Sequence, residues 1–191
     1  MPIKVVLVAV LLIATAHPAV SQAAPDATHN RFPFRLAVGV GVSDFYSDWS
    51  GRLDGATVWA DVNFYRGPEF LRELGLEVEG RDLNYGRTGE VANLRQDTAE
   101  GGPIFTLRHF RKLQPYGKCL FGFGSIDFQH YTPTYSHDTR TLIVPGVGVE
   151  YRTWRTIWVR GDYEYQFWTN FVNHHALNPN GFTVGVEMPF D

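Results

Sequence analysis

The sequence predicts an all-β fold: an eight-stranded antiparallel up-and-down transmembrane β-barrel following an N-terminal leader. Three observations carry that prediction. Apolar and polar residues alternate with a period of two in eight separate segments, each about ten residues long, the length of a membrane-crossing strand. The segments between them are alternately long and short. Most of the aromatics fall on the faces that carry no charge, whereas the charges and eight glycines share the opposite faces.

Composition narrows the field first. The 191 residues are 44% hydrophobic and 15% aromatic, so disorder is excluded. Charged residues make up 19%, below the roughly 25% of ordinary soluble domains. A net charge of −3 gives no basic face for nucleic acid, and a single cysteine excludes an intrachain disulfide or a cysteine-based metal cluster. Cofactors are not expected.

Residues 1–24 read as a secretory signal peptide. Lys4 precedes the apolar run Val5 to Ala16, and Ser21-Gln22-Ala23-Ala24 supplies the small-residue exit. Residues 25–191 are then one exported barrel domain.

The strands follow in order. Leu36, Val38, Val40 and Val42 face away from Arg35, Ala37, Gly39 and Gly41. Ala56, Val58, Ala60, Val62 and Phe64 oppose Thr57, Trp59, Asp61 and Asn63. Leu74, Leu76, Val78 and Gly80 oppose Gly75, Glu77, Glu79 and Arg81. A weaker fourth pattern sets Ala99, Gly101, Pro103, Phe105 and Leu107 against Glu100, Gly102, Ile104 and Thr106. In the fifth, Pro115, Gly117, Cys119, Phe121 and Phe123 oppose Tyr116, Lys118, Leu120 and Gly122. In the sixth, Ile143, Pro145, Val147, Val149 and Tyr151 oppose Val144, Gly146, Gly148 and Glu150. Residues 157–167 set Ile157, Val159, Gly161, Tyr163, Tyr165 and Phe167 against Trp158, Arg160, Asp162, Glu164 and Gln166. The last strand alternates Phe182, Val184, Val186, Met188 and Phe190 with Thr183, Gly185 and Glu187.

The side each face takes decides the solvent. The lumen of an eight-stranded barrel only just accommodates side chains. Turned inward, the aromatics would overfill it; turned outward, they form a lipid-facing band. Segments 43–55, 82–98, 124–142 and 168–181 are the expected extracellular loops, and 65–73, 108–114 and 152–156 the periplasmic turns. Pro103 and Pro145, which remove ladder donors, are expected at bulges or local bends, and Gln166 at a tolerant strand end.

The inward charges form the candidate site: Arg35, Asp61, Glu77, Glu79, Arg81, Glu100, Lys118, Glu150, Arg160, Asp162, Glu164 and Glu187. Buried charges must pair, so a network filling the lumen is expected, with Lys118 within reach of Glu77, Glu79 or Glu100. The alternative is a narrow pore that the excess of acids makes cation-preferring. Arg160-Gly161-Asp162 lies within a strand pattern, which argues against an adhesion tripeptide. His130, His137, His174 and His175 fall in expected loops and lack zinc-site spacing. No nucleophile motif is present; His137-Asp138-Thr139 is the nearest, so enzymatic activity is not expected.

On the final strand FTVGVEMPF and the glycine-spaced strands GKCLFGFG and PGVGVEY, the chain resembles the small eight-stranded outer-membrane barrels of the OmpA transmembrane-domain and opacity-protein type. The resemblance covers residues 32–191. It implies an outer-membrane location, and outer-membrane lipids and the barrel-insertion machinery as partners. It further implies that Phe182, Val184, Val186, Met188 and Phe190 are the C-terminal assembly signal. The expected function is a structural or surface-interaction role, as a monomer, with an extracellular ligand held by the loops. The runner-up fold is a soluble secreted lipocalin-like barrel binding a small apolar ligand, its apolar faces inward; a lipid-modifying outer-membrane enzyme is the remaining alternative.

Overall fold

The computed structural model describes residues 34–48, 51–64, 68–86, 95–108, 112–128, 136–171 and 175–190. The expected leader, residues 1–24, lies outside the described residues, as do His130 and His174. The strands are β1 (Phe34–Tyr46), β2 (Arg52–Phe64), β3 (Leu74–Gly86), β4 (Arg95–Thr106), β5 (Leu113–Phe128), β6 (Ser136–Arg152), β7 (Trp158–Tyr165), β8 (Phe167–Phe171), β9 (His175–Leu177) and β10 (Asn180–Phe190). A single helical turn, α1 (Glu69–Glu73), joins β2 to β3.

These segments make eight crossings. β7 and β8, parted by Gln166, form the seventh, and β9 with β10 forms the eighth. The Gln166 amide donates to the Pro179 carbonyl at 2.7 Å and carries the ladder across both breaks. Neighbours pair antiparallel throughout, and β1 pairs with β10 from Leu36↔Phe190 to Tyr46↔Asn180, which closes the ring.

The alternation resolves as outward apolar and inward polar. Val42 is 70% exposed, Val78 65% and Phe123 63%, whereas Asp61, Glu77 and Arg160 are each 1% exposed. A lipocalin-like arrangement, which needs those apolar faces inside, is thereby overturned.

Four sequence expectations need correction. First, the strands run well into the segments read as long loops: Phe45, Leu53, Leu83, Ile126, Leu142, Trp168 and Leu177 are strand residues. Second, His137 and His175 lie in β6 and β9, not in loops. Third, neither Pro103 nor Pro145 shifts the register. The shift between β2 and β3 falls at Asp54/Gly55, where a Cβ on Gly55 would meet the Asp82 carbonyl oxygen at 1.9 Å. At Pro145 the ladder simply lapses: pairing with the seventh crossing stops at Gly146↔Glu164 and resumes at Ile143↔Phe167. A residue without an N–H faces the break between β7 and β8, so the proline marks the seam. Fourth, Gln166 is fully buried; its side-chain carbonyl accepts from Gln96 at 2.8 Å and from Trp168 Nε1 at 3.0 Å, so it is not a tolerant position.

Candidate functional site

The lumen is the best-defined constellation, and it is built in layers. At the level of the outward Val and Phe band, three cations hold the inward carboxylates. Lys118 of β5 donates to Glu77 Oε1 at 2.8 Å and to Glu79 Oε2 at 2.6 Å, pairs with Glu164, and lies 3.6 Å from Asp162. Arg81 of β3 bonds Glu79 and reaches Glu164 Oε2 at 2.5 Å. Arg160 of β7 donates to Glu77 Oε2 at 2.7 Å, Asp61 Oδ2 at 3.2 Å and Asp162 Oδ2 at 3.0 Å. Glu77 thus links Lys118 to Arg160, and Glu79 and Glu164 link Lys118 to Arg81, so one network crosses the barrel.

Aromatic groups complete this layer. The Arg160 guanidinium lies 4.8 Å from the Trp59 ring centre and 4.6 Å from that of Tyr116. Tyr116 donates to Asp162 at 2.6 Å, and Trp59 Nε1 to Glu187 at 3.0 Å. Trp59 has room because its neighbour across the ladder is glycine: a Cβ on Gly39 would sit 2.2 Å from the indole. Gly146 and Gly148 likewise face bulky side chains, whereas Gly41, Gly102, Gly122 and Gly185 lie against a neighbouring backbone carbonyl.

Two expected members stand apart. Arg35 is half-buried below the network, its guanidinium 5.3 Å from the Trp158 ring centre. Glu100 is 4% exposed, yet neither of its carboxylate oxygens has a hydrogen-bond partner, and it makes no bond to Lys118. Two triads of carboxylates, Asp61/Glu150/Glu187 and Glu79/Glu100/Glu164, each bring one oxygen per residue within 4.8 Å of the others.

Above the charges comes a neutral polar layer. Ser43 bonds Thr57 at 2.5 Å and Thr183 at 2.8 Å, and Gln96 bonds Gln166. Above that sits an apolar cap of Phe45, Leu53, Leu83, Ile126, Leu142, Trp168 and Leu177, continuous with Leu120 and Val144. Trp168 covers Gly124, where a Cβ would meet its ring at 2.2 Å. Sequence reasoning missed this cap. The signal was present on β1, β3 and β5, where the two-residue phase continues to the strand end with its polarity reversed.

Other sequence candidates resolve simply. Arg160 and Asp162 both point into the lumen, so the tripeptide is not displayed. Asp138 is held by Arg140 at 3.1 Å, and among the described residues the groups able to hold a metal contain no histidine. Cys119 is a free, half-buried thiol on an outward-facing position. Phe182, Val184, Val186, Met188 and Phe190 all face outward on β10, the strand that closes against β1.

Known proteins match this geometry. The crystal structure of Neisserial surface protein A superposes with a TM-score of 0.61 at 12% identity, covering 83% of this chain and 98% of that one. The attachment invasion locus protein Ail of Yersinia pestis, solved with the heparin analogue sucrose octasulfate, gives 0.58 at 15% identity, covering 83% and 100%. The N-terminal β-barrel domain of Pseudomonas aeruginosa OprF gives 0.51 at 12% identity, covering 83% and 98%. No curated protein matches the chain in sequence. The outer membrane protein beta-barrel domain family matches residues 6–190. The outward apolar band, the closed eight-crossing ring and that match agree: the chain belongs to this family, and its place is the bacterial outer membrane.

Proposed function

We propose that the protein is a non-catalytic, non-conducting surface barrel, monomeric in the outer membrane, whose outer rim does the recognition. The observation that carries this reading is the doubly filled lumen. A network of ion pairs occupies the membrane level, and an apolar cap closes it toward the outside. With the interior occupied, the rim is where an external partner can be met. Its chemistry favours a neutral or cationic partner over a polyanion. Among the described rim residues, Asp44, Asp54, Asp82, Asp97, Asp127 and Asp138 outnumber Arg52, Arg95 and Arg140, and each arginine is engaged by an aspartate.

Delivery fits the same reading: residues 1–24 act as a cleaved leader, and the outward face of β10 is the feature that the barrel-insertion machinery reads. The test is reconstitution. In planar bilayers the refolded protein shows no steady unitary conductance, and replacing segments 87–94 and 129–135 with short glycine-serine linkers abolishes binding to cells while the barrel still folds. A steady cation-selective conductance would establish the pore reading instead.

A further inference from the structure

The two ends of the barrel carry opposite charge. Aspartates predominate at the outer rim. Cations predominate at the other end, which the short turns place in the periplasm, and they gather on one side of it. Residues 107–115 and 151–157 contain Arg108, Arg111, Lys112, Arg152 and Arg155 and no Asp or Glu. The turn between β2 and β3 is balanced by contrast, with Arg66 and Arg72 against Glu69 and Glu73.

The two basic turns are neighbours. The Arg152 amide donates to the Lys112 carbonyl at 2.8 Å, and Leu113 pairs with Tyr151 at the foot of the wall. Lys112, Arg152 and Arg155 are exposed and form no ion pair among the described residues. Glu150, two residues before Arg152, is buried in the lumen. Large apolar groups stand exposed beside the cations: Trp154 at 71%, Tyr151 at 45% and Leu113 at 43%. A soluble polyanion would account for the cations but not for these neighbours, whereas a membrane interface accounts for both.

A groove in the outward wall rises from the same turn. Gly161 lies between Val149 and Val184 in its ladders, and a Cβ there would meet nothing beyond its chain neighbours closer than 4.0 Å. Val147, Tyr163 and Phe182 border this notch, the two rings 4.8 Å apart, and the groove holds about 360 Å³. Tyr151 and Val159, ladder partners on the outward face, lead from it down to the turn. Along β6 the distance from Arg152 to Val147 is roughly 17 Å, within the reach of one lipid acyl chain.

We propose that this side of the barrel holds an anionic phospholipid of the periplasmic leaflet. Its headgroup rests on the β4–β5 and β6–β7 turns, and one acyl chain lies in the groove at Gly161. Lys112 offers a point charge and Arg155 a planar fork, the two chemistries that meet a phosphate. Cations without a compensating carboxylate favour a headgroup of net negative charge over a zwitterionic one. Trp154 sits at headgroup depth beside them, where an indole is at home. This inference is independent of what the rim recognises.

The experiment is native mass spectrometry of the protein refolded into detergent micelles. It is titrated with dioleoyl phosphatidylglycerol or with dioleoyl phosphatidylethanolamine, which has the same chains and no net charge. One retained phosphatidylglycerol per chain is expected at concentrations where phosphatidylethanolamine is lost. Lys112→Gln combined with Arg155→Gln should lower the phosphatidylglycerol affinity on the order of tenfold. Arg72→Gln, on the balanced turn, should leave it unchanged. Gly161→Leu fills the notch with every charge intact and should weaken both lipids; if it does not fold, Gly161→Ala replaces it, with a smaller loss expected. Equal affinity for the two lipids, or phosphatidylglycerol binding that the double replacement leaves intact, overturns the proposal. So does binding of isolated peptidoglycan through Lys112 and Arg155 without a lipid preference, which would assign the turns to a soluble polyanion.

Discussion

The lower and upper parts of the barrel are built from the same strands by opposite rules. In the lower part of β1 the outward residues are Leu36, Val38, Val40 and Val42; two positions beyond Val42, the outward residue is Asp44. On β3 the outward series Leu76, Val78, Gly80 gives way to Asp82, while the inward series Glu77, Glu79, Arg81 gives way to Leu83. On β5, Phe121 and Phe123 are followed outward by Ser125 and Asp127, and Lys118 is followed inward by Leu120 and, past two glycines, Ile126. The phase is unbroken, but its meaning reverses.

The difference is the outer solvent. Where lipid surrounds the wall, burying apolar groups inside gains nothing, because the outside is equally apolar. The interior there holds together through ion pairs. Where water surrounds the wall, the hydrophobic effect returns, and the inward residues form a small core. One chain thus carries a membrane barrel below and the rudiment of a soluble barrel above, joined by the layer of Ser43, Thr57, Thr183, Gln96 and Gln166.

Substitutions at matched positions can break this comparison. Lys118→Met should have the largest effect, about 3–5 kcal/mol, because Glu77, Glu79 and Glu164 lose their shared cation in a dry site. Urea titration followed by the gel mobility of the folded form measures it; a cost below 1 kcal/mol would mean that water fills the lumen. Trp168→Ala, in the cap, should cost about 3 kcal/mol through the cavity it leaves. That loss should diminish on cooling, since an apolar core weakens in the cold while an ion-pair network does not.

On the outer face of β6, Val147→Arg should cost roughly 2–4 kcal/mol if it sits at mid-bilayer, whereas Thr139→Arg, eight residues away on the same face but in the water-facing part, should cost under about 1 kcal/mol. Equal costs would place the reversal of solvent elsewhere. Smallest is Arg52→Ala at the rim. Its pair with Asp44, 2.7 Å apart and largely exposed, should leave the urea midpoint almost unmoved, and what little it adds should vanish in molar salt.

How far the sequence could be read follows from the same reversal. Eight crossings and the inward side of each were legible because the membrane level obeys one rule throughout. Strand ends such as Asp44–Tyr46 and Arg52–Asp54 were read as loops because outward aspartates broke the apolar-outside pattern. The cap was lost with them: Phe45, Leu53 and Leu83 look like stray hydrophobics once their strands are thought to have ended. The pairing within the charge network depends on reach across the lumen. Lys118 faces Ile104 and Gly146 in its ladders, yet its ammonium bonds Glu77 and Glu79. No linear spacing encodes that.

Ring closure between β1 and β10 also governs the order of events as the chain folds. The partners of Leu36 through Tyr46 on that side are supplied by Asn180 through Phe190, so nearly the whole chain length separates the two halves of one ladder. Such contacts have the highest loop-closure cost in the molecule and arrive late. Until the eleven residues of β10 are in place, one edge of β1 remains open to pair with any other strand. A chain without β10 would therefore lose the ring as a whole, and not merely one member; whatever carries the polypeptide to the membrane must hold it unfolded until β10 has emerged.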